Sequence, residues 1–148
     1  MISPTISLND KPNISMKRKD AIHTIVLNDI KNTPIKSHIS YIGVKNEYII
    51  KKLHSFGFQV DQIEGDPEKL ESCPCCGYNT LSERGVYDIC PVCFWEDDGV
   101  DNDFKYSGPN HMTLSEGRSN FRKVGACDEE AKKHIDPDGV SKYSRNCT

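Results

Sequence analysis

With 148 residues, the chain is long enough for one domain, or for a small domain with an appended helical piece. Its composition, 36% hydrophobic and 28% charged, is that of a globular protein and excludes a fibrous or clearly disordered one. No apolar run approaches the roughly 18 residues that span a bilayer, and the N-terminus lacks the features of a secretory signal. We therefore expect a cytoplasmic protein that does not enter a membrane.

The net charge of −3 is distributed unevenly along the chain. Residues 1–56 hold nine Lys and Arg against four Asp and Glu, a net charge of +5, whereas residues 57–148 hold ten against eighteen, a net charge of −8. Two solvated faces of one domain would explain this pattern. So would two faces of opposite charge that meet different partners.

The N-terminal part predicts a leader followed by two helices. Residues 1–15 lack apolar periodicity and read as a loose leader. Apolar residues then recur at three- and four-residue spacing, which predicts a helix over 16–31 with Ser15 as its N-cap. A second helix is predicted over 45–56, closed by Gly57. A short strand is expected at 58–60.

The C-terminal part predicts one further helix. Thr113 and Glu116 have the spacing of a capping box, which opens a helix that runs to about residue 124. Gly125 can end that helix in a left-handed conformation. From residue 128 onward the chain is polar, contains proline and glycine, and is expected to be irregular.

Two segments carry the strongest chemical signal, the C-x-x-C pairs at residues 73–76 and 90–93. A C-x-x-C turn brings two thiolates to one cation, and the proline and glycine in these segments favour such a turn. Two turns supply four soft ligands, which suit a tetrahedral, structural Zn²⁺ with no open coordination position. The seven cysteines are odd in number, and C-x-x-C pairs in a reducing compartment favour metal over disulfides. The predicted zinc ligands are Cys73, Cys76, Cys90 and Cys93.

The thirteen residues between Cys76 and Cys90 suit a hairpin, which is the arrangement of a zinc ribbon. Residues 78–81 would form one strand, 82–85 the turn, and 86–89 the returning strand. The chain as a whole is then predicted to be α+β. Residues 1–70 would form a flexible leader and helical region, 71–127 a cysteine-rich zinc-binding module with a β-hairpin and a following helix, and 128–148 a polar tail.

Other thiols and one histidine leave alternatives open. Cys75 could replace Cys73 or Cys76 as a ligand, although C-x-x-C geometry favours the outer pair and makes Cys75 a packed thiol. His111 could serve if one cysteine is not used. A redox dithiol is a further possibility, but the strand-then-helix setting that lowers a thiol pKa in thioredoxin-like proteins is missing. Cys127 and Cys147 lie outside any ligand spacing and read as buried or idle thiols.

Shortly after the last predicted ligand, five acidic residues lie within the eight positions 96–103. Their spacing does not match an EF-hand. No catalytic constellation and no phosphate-binding glycine loop accompany them, so we expect no enzyme activity. Trp95, the only tryptophan, is expected to pack over the metal-binding turn. An acidic surface favours a basic protein partner, and the residues predicted to contact it are Glu96, Asp97, Asp98, Asp101 and Asp103.

Three strings, CPCCGYNTL, GVYDICPVCFWEDDG and NHMTLSEGRSNF, followed by GAC, resemble the small bacterial cysteine-rich CPCC family. The resemblance covers about residues 72–127 and leaves residues 1–70 outside. It implies a zinc-ribbon-type module. Small proteins of this kind can occur as partners of toxins in bacterial competition systems, so the resemblance also raises an immunity role.

The leading hypothesis is a non-enzymatic zinc protein that binds another protein, with an immunity protein that neutralises a basic toxin domain as the particular form. The alternative is a nucleic-acid-associated or ribosome-associated zinc ribbon. The acidic half makes phosphate contacts unfavourable there, so such contacts would fall to the basic N-terminal helices. The residues in question are Lys17, Arg18, Lys19, Lys51 and Lys52.

Overall fold

The computed structural model describes residues 14–32 and 40–146. Residues 1–13, which make up most of the predicted leader, and Cys147 lie outside the described residues. The chain separates into two compact units. In the described residues, the first unit takes in 14–32, 40–41 and 46–67, and the second takes in 42–45 and 68–146.

The first unit contains a short parallel strand pair and two helices. Strand β1, Ser15–Lys17, pairs with β2, Gln62–Glu64, and helix α1, Arg18–Asn32, begins directly after β1. The predicted N-cap at Ser15 is therefore wrong, because pairing with β2 holds Ser15 extended. The strand predicted at 58–60 is also wrong. The strand in this region is β2, which begins at Gln62 because it pairs with β1.

Helix α2, Asn46–Ser55, lies within its predicted range, and Gly57 follows it with a φ of 91°. Helices α1 and α2 pack against each other. Arg18, at the start of α1, is buried; its guanidinium donates to Asn46 Oδ1 at 2.7 Å and to the Tyr41 carbonyl at 3.1 Å. The apolar core of this unit is formed by Ala21, Ile25, Ile49, Leu53 and Val60.

The second unit contains two short antiparallel strand pairs. Strand β3, Glu71–Ser72, pairs with β4, Asn79–Leu81, so that this hairpin encloses the first C-x-x-C segment. An isolated bridge between Ile89 and Glu96 encloses the second segment. The hairpin predicted between the two segments is therefore wrong. Residues 79–81 pair with the strand before the first segment, and Ile89 pairs with Glu96 after the second, so the two predicted strands do not pair with each other. Strands β5, Tyr106–Ser107, and β6, Met112–Thr113, form the other pair.

Helix α3, Leu114–Val124, agrees with its prediction at both ends. Thr113 Oγ1 accepts from the Glu116 amide at 3.2 Å, and the Glu116 carboxylate accepts from the Thr113 amide at 3.1 Å. Gly125 closes the helix with a φ of 80°. The capping box is confirmed.

The prediction that the segment from residue 128 is irregular is wrong. It contains a 3₁₀ helix, Glu130–Lys133, and helix α4, Gly139–Lys142. The Lys142 side chain is buried, and its Nζ donates to Asp136 Oδ2 at 2.6 Å. This ion pair and the buried Tyr143 hold the segment in place, although it is too polar to contain a run of apolar residues.

The α+β prediction is confirmed, since N-terminal helices precede a small zinc-ribbon-like module that is followed by a helix. Within the described residues, 14–32 and 40–146, every helix is too short or too polar to cross a lipid bilayer.

Candidate metal centre

The two C-x-x-C segments form matching turns, which we name the first knuckle (residues 73–77) and the second knuckle (residues 90–94). In each, the amide of the first cysteine donates to the carbonyl five positions later, and the amide four positions later donates back to the cysteine carbonyl. These bonds are 2.8 or 2.9 Å long and join Cys73 with Tyr78 and Gly77, and Cys90 with Trp95 and Phe94. The knuckles therefore share one backbone frame.

The knuckles bring together the sulfur atoms of Cys73, Cys76, Cys90 and Cys93, which all lie within 4.8 Å of one another. Two sulfur pairs join the knuckles: the Sγ atoms of Cys73 and Cys93 are 3.7 Å apart, as are those of Cys76 and Cys90. All four cysteines are buried, with at most 2% of their surface exposed. Because a disulfide requires sulfurs about 2.05 Å apart, the four thiols are free.

This geometry fits a metal ion. Metal–sulfur bonds of about 2.3 Å in a tetrahedron place the sulfurs about 3.8 Å from one another, and two of the Sγ–Sγ distances between the knuckles are 3.7 Å. Thiolates are soft donors suited to ions such as zinc. The four cysteines can hold one metal ion and fill every position of a tetrahedral shell.

The electrostatics of the cluster also favour a cation. Hydrogen bonding to Cys76 and Cys90 raises the pKa of Cys73, and burial raises the pKa of Cys93. Burial opposes ionisation of Cys90 as well, but hydrogen bonds from Cys73, Cys76 and Cys93 outweigh it and hold the pKa of Cys90 well below its usual value. Thiols packed this closely resist carrying several negative charges together. A bound cation removes that obstacle, because metal binding is coupled to the release of thiol protons.

Three side chains that sequence reasoning missed support the knuckles. Thr80 Oγ1 donates to Cys90 Sγ at 3.1 Å. Arg118 Nε donates to the Pro74 carbonyl at 2.8 Å, and Arg145 Nε donates to the Cys76 carbonyl at 3.1 Å. Groups of this kind orient ligands and tune their charge. The two arginines lie 44 and 69 residues from their acceptors, so no local spacing pattern could have revealed them.

The remaining candidate ligands lie outside the four-sulfur group. Cys75 is buried, and His111 is exposed with a φ of 57°. Neither belongs to the group that could hold a metal. Cys127 is also buried, and burial raises its pKa to about 12. The prediction of a buried thiol is confirmed for Cys127, whereas Cys147 is not described.

Trp95 directly follows the second knuckle and is fully buried. It packs against Gly117 of α3 so closely that a Cβ at position 117 would lie 2.7 Å from Trp95 Cζ3 and 3.3 Å from Cys75 Sγ. Helix α3 thus lies beside the knuckles because a glycine leaves room for the indole. The prediction that Trp95 is part of the core is confirmed.

The acidic stretch divides into buried and exposed carboxylates. Asp97 is fully buried and accepts from Arg84 Nε at 2.7 Å and from the Gly85 amide at 2.8 Å. Asp97 therefore holds the loop together. The prediction that Asp97 contacts a partner is wrong, because its side chain is fully buried. Asp98 is half-buried, with Oδ2 accepting from Ser107 Oγ at 3.1 Å.

The other predicted contact residues remain accessible. Asp101 and Asp103 are exposed, although Asp103 pairs with Arg118. Glu96 is half-buried at the edge of a cavity. The acidic surface that the structure leaves available therefore consists of Glu96, Asp101 and Asp103, with part of Asp98.

The basic N-terminal residues do not form one exposed set. Arg18 is buried within its own unit, where it holds Asn46 and the Tyr41 carbonyl. It is therefore not placed to contact a phosphate backbone, which removes one of the five cations on which a nucleic-acid interface would depend.

Residues 71–140 fit the sequence profile of a family described as Cysteine-rich CPCC. The matched segment includes both knuckles, α3 and the 3₁₀ helix, and so reaches beyond the end of the resemblance at residue 127. No curated protein and no solved structure matches the chain.

Proposed function

Because residues 71–140 belong to the cysteine-rich CPCC family, we propose a non-enzymatic function in which a structural zinc ion holds a module that binds another protein. The observation that carries this proposal is the buried group of four cysteine sulfurs. Four cysteines complete a tetrahedral shell and leave no position for a water or a substrate, which is the arrangement of a structural zinc rather than a catalytic one.

The choice of zinc depends on the donor set. Tetrahedral sites with four sulfur ligands suit zinc or iron, because both accept soft thiolates. Zinc has no redox chemistry and contributes directly to the folding free energy of small modules. A structural role agrees with the position of the four sulfurs in the interior of the second unit, beside the fully buried Trp95.

Metal analysis of the purified chain tests this part of the proposal. We expect one zinc per chain by inductively coupled plasma mass spectrometry and the same mass increment by native mass spectrometry. A strong chelator should remove the metal and unfold the second unit, since the metal-binding and folding equilibria are coupled. Iron in stoichiometric amount, or a folded second unit free of metal, would contradict the structural zinc.

The partner is proposed to be a basic protein, of which a toxin neutralised by this chain is the form we favour. Residues 57–148 carry a net charge of −8, and a divalent ion held by four thiolates would add a formal charge of −2. Glu96, Asp101 and Asp103 remain accessible on the loop that follows the second knuckle. Complementary charge speeds association and excludes wrong partners.

Co-expression tests the partner. If an effector gene is encoded next to this chain, its toxic domain should be tolerated by cells only when the chain is present. The purified complex should dissociate as salt is raised, because screening weakens surface charge pairs. The double variant Asp101→Asn with Asp103→Asn should weaken the complex while zinc content stays at one per chain. Growth that does not depend on the chain would refute neutralisation.

A further inference from the structure

A cavity of about 230 Å³ lies beside the second knuckle. It is bounded by Phe94 of the knuckle, by the turn before β6 and by the 3₁₀ helix, all within the second unit. The cavity is smaller than the roughly 300–1,000 Å³ of pockets that hold drug-sized molecules. Its size is therefore better matched to a single side chain of a protein partner.

One wall of the cavity is aromatic. The rings of Phe94 and His134 stack with centroids 5.0 Å apart and planes 25° from parallel, and both residues line the cavity. At the equivalent position of the first knuckle the chain has Gly77, also with positive φ. The second knuckle thus carries an aromatic ring at a position whose backbone favours glycine, and that ring faces the cavity.

The carboxylates of three acidic residues belong to the cavity lining. Glu96, Asp128 and Glu130 line the cavity, and no Lys or Arg does. Glu130 is paired with Lys133, and Asp128 accepts from the Ala131 amide. The half-buried carboxylate of Glu96 makes no hydrogen bond or ion pair with any residue that the structure describes. Of the three carboxylates, it is the one without a hydrogen-bond or ion-pair partner among the described residues.

A second metal site is a poor explanation of this cavity. In the described parts of the chain, the four cysteines form the only group of metal-binding side chains close enough to share an ion. The histidines and carboxylates of the cavity are therefore too far apart to form one. What the lining offers is a flat aromatic face beside a free carboxylate, and both attract an organic cation.

We propose that this cavity receives an arginine side chain of a protein partner. The guanidinium would pair with the Glu96 carboxylate through two parallel N–H···O bonds and stack on the Phe94 ring. Arginine is favoured over lysine because its planar, weakly hydrated head can do both, whereas an ammonium acts as a hydrated point charge. The inference rests on the proposed protein-binding function and names the group by which a basic partner is recognised.

A titration followed by ¹⁵N NMR tests the proposal on the metal-loaded full chain. The probe is N-acetyl-arginine N-methylamide. One control is the citrulline analogue, which keeps the shape and loses the charge, and the other is the lysine analogue, which keeps the charge and loses the planar head. Arginine should shift the amide signals of residues 94–96 and 131–134 in a saturable way. Citrulline should bind about tenfold more weakly or worse, since it loses charge-assisted hydrogen bonds. Equal binding of citrulline or of the lysine analogue, or no saturable shift, would overturn the proposal.

Two variants locate the binding. Glu96→Gln keeps the side-chain shape and should weaken arginine binding about tenfold. Phe94→Gly removes the ring and suits the positive φ, so it should fold and also lose binding. Glu83→Gln, at an exposed acid that does not line the cavity, should bind like the unaltered chain. Retained binding in Glu96→Gln would refute the site.

Zinc content and salt-sensitive partner binding, measured on the same samples, separate this inference from the proposed function. Should the chain bind zinc and its partner but ignore arginine, only the cavity assignment fails. Should zinc or the partner be absent, the proposed function itself fails.

Discussion

The two knuckles have the same backbone frame but different surroundings. At the first knuckle, two long cationic side chains close over the turn, with Arg118 donating to the Pro74 carbonyl and Arg145 to the Cys76 carbonyl. Arg145 also lies over the Tyr78 ring, 5.3 Å from its centroid. At the second knuckle the carbonyls of Pro91 and Cys93 accept instead from the amides of residues 136 and 127.

This difference separates two tasks within one metal-binding motif. Charged side chains cover the first knuckle, and guanidinium groups beside a cluster of thiolates lower its electrostatic cost. The carbonyls of the second knuckle accept from backbone amides, so no long side chain among the described residues covers it there. Its outer face, with Phe94, opens onto the cavity. Side chains of the second unit therefore enclose the first knuckle, whereas the second knuckle leaves Phe94 at the edge of a cavity.

The largest expected effect tests whether the knuckles are equal as ligand sources. Cys76→Ser and Cys90→Ser each remove one sulfur from the shell, so we expect both to lose the metal and to unfold the second unit. Structural zinc contributes roughly 10–16 kcal/mol of apparent binding free energy, comparable to the whole stability of a typical domain, about 5–15 kcal/mol. Metal analysis and circular dichroism would measure both losses.

Cys127→Ser is the matched control, because Cys127 is a buried thiol of the same unit that lies outside the four-sulfur group. It should keep one metal ion per chain. If Cys76→Ser kept its metal while Cys90→Ser lost it, the two knuckles would not be equivalent, and Cys75 would have to supply the missing sulfur.

The grouping of the four cysteines was predictable from sequence because C-x-x-C spacing makes a local turn whatever surrounds it. Helix α3 was predictable for a similar reason, since Thr113, Glu116 and Gly125 act on their immediate neighbours. The strand pairing was not, because β3 and β4 contain only two and three residues. Strands so short show no alternation from which a partner could be read.

The accessible acidic surface was only partly predictable. Five acids within eight residues indicate a solvated loop, yet the structure buries Asp97. The groups that make this burial possible, Arg84 and the Gly85 amide, lie 13 and 12 residues before Asp97, so no local spacing pattern links them to it. The cavity was likewise hidden, because its walls come from three separated segments.

An intermediate effect is expected where the chain leaves the second knuckle. Asp97→Ala removes the acceptor of the Arg84 guanidinium and the Gly85 amide, and it should lower the free energy of unfolding by about 3 kcal/mol. The Arg84 side chain is 34% exposed, so it can turn toward water, and the loss should stay below that of a fully buried broken pair. Urea unfolding of the metal-loaded chain would measure it.

Asp101→Ala is the control for this variant, because that side chain is exposed on the same loop. Its free energy of unfolding should stay within about 0.5 kcal/mol of the unaltered chain. Equal effects of the two variants would mean that Asp97 does not anchor the loop, and that the acidic stretch behaves as one exposed surface.

The smallest effect is expected at the last position of the knuckle, where both backbones have a positive φ but the first knuckle has Gly77 and the second has Phe94. Gly77 has a φ of 83°, and a Cβ there would meet only ordinary contacts, the nearest being Arg145 Nε at 3.5 Å. Gly77→Ala should therefore lower the free energy of unfolding by about 1–2 kcal/mol through backbone strain alone. Gly108→Ala, where φ is not positive and the space is open, should be close to neutral. Phe94, at a φ of 71°, is a non-glycine residue in the same conformation. A neutral Gly77→Ala would therefore mean that this backbone strain does not lower the free energy of unfolding at either knuckle. The difference between the knuckles would then reflect their neighbours alone.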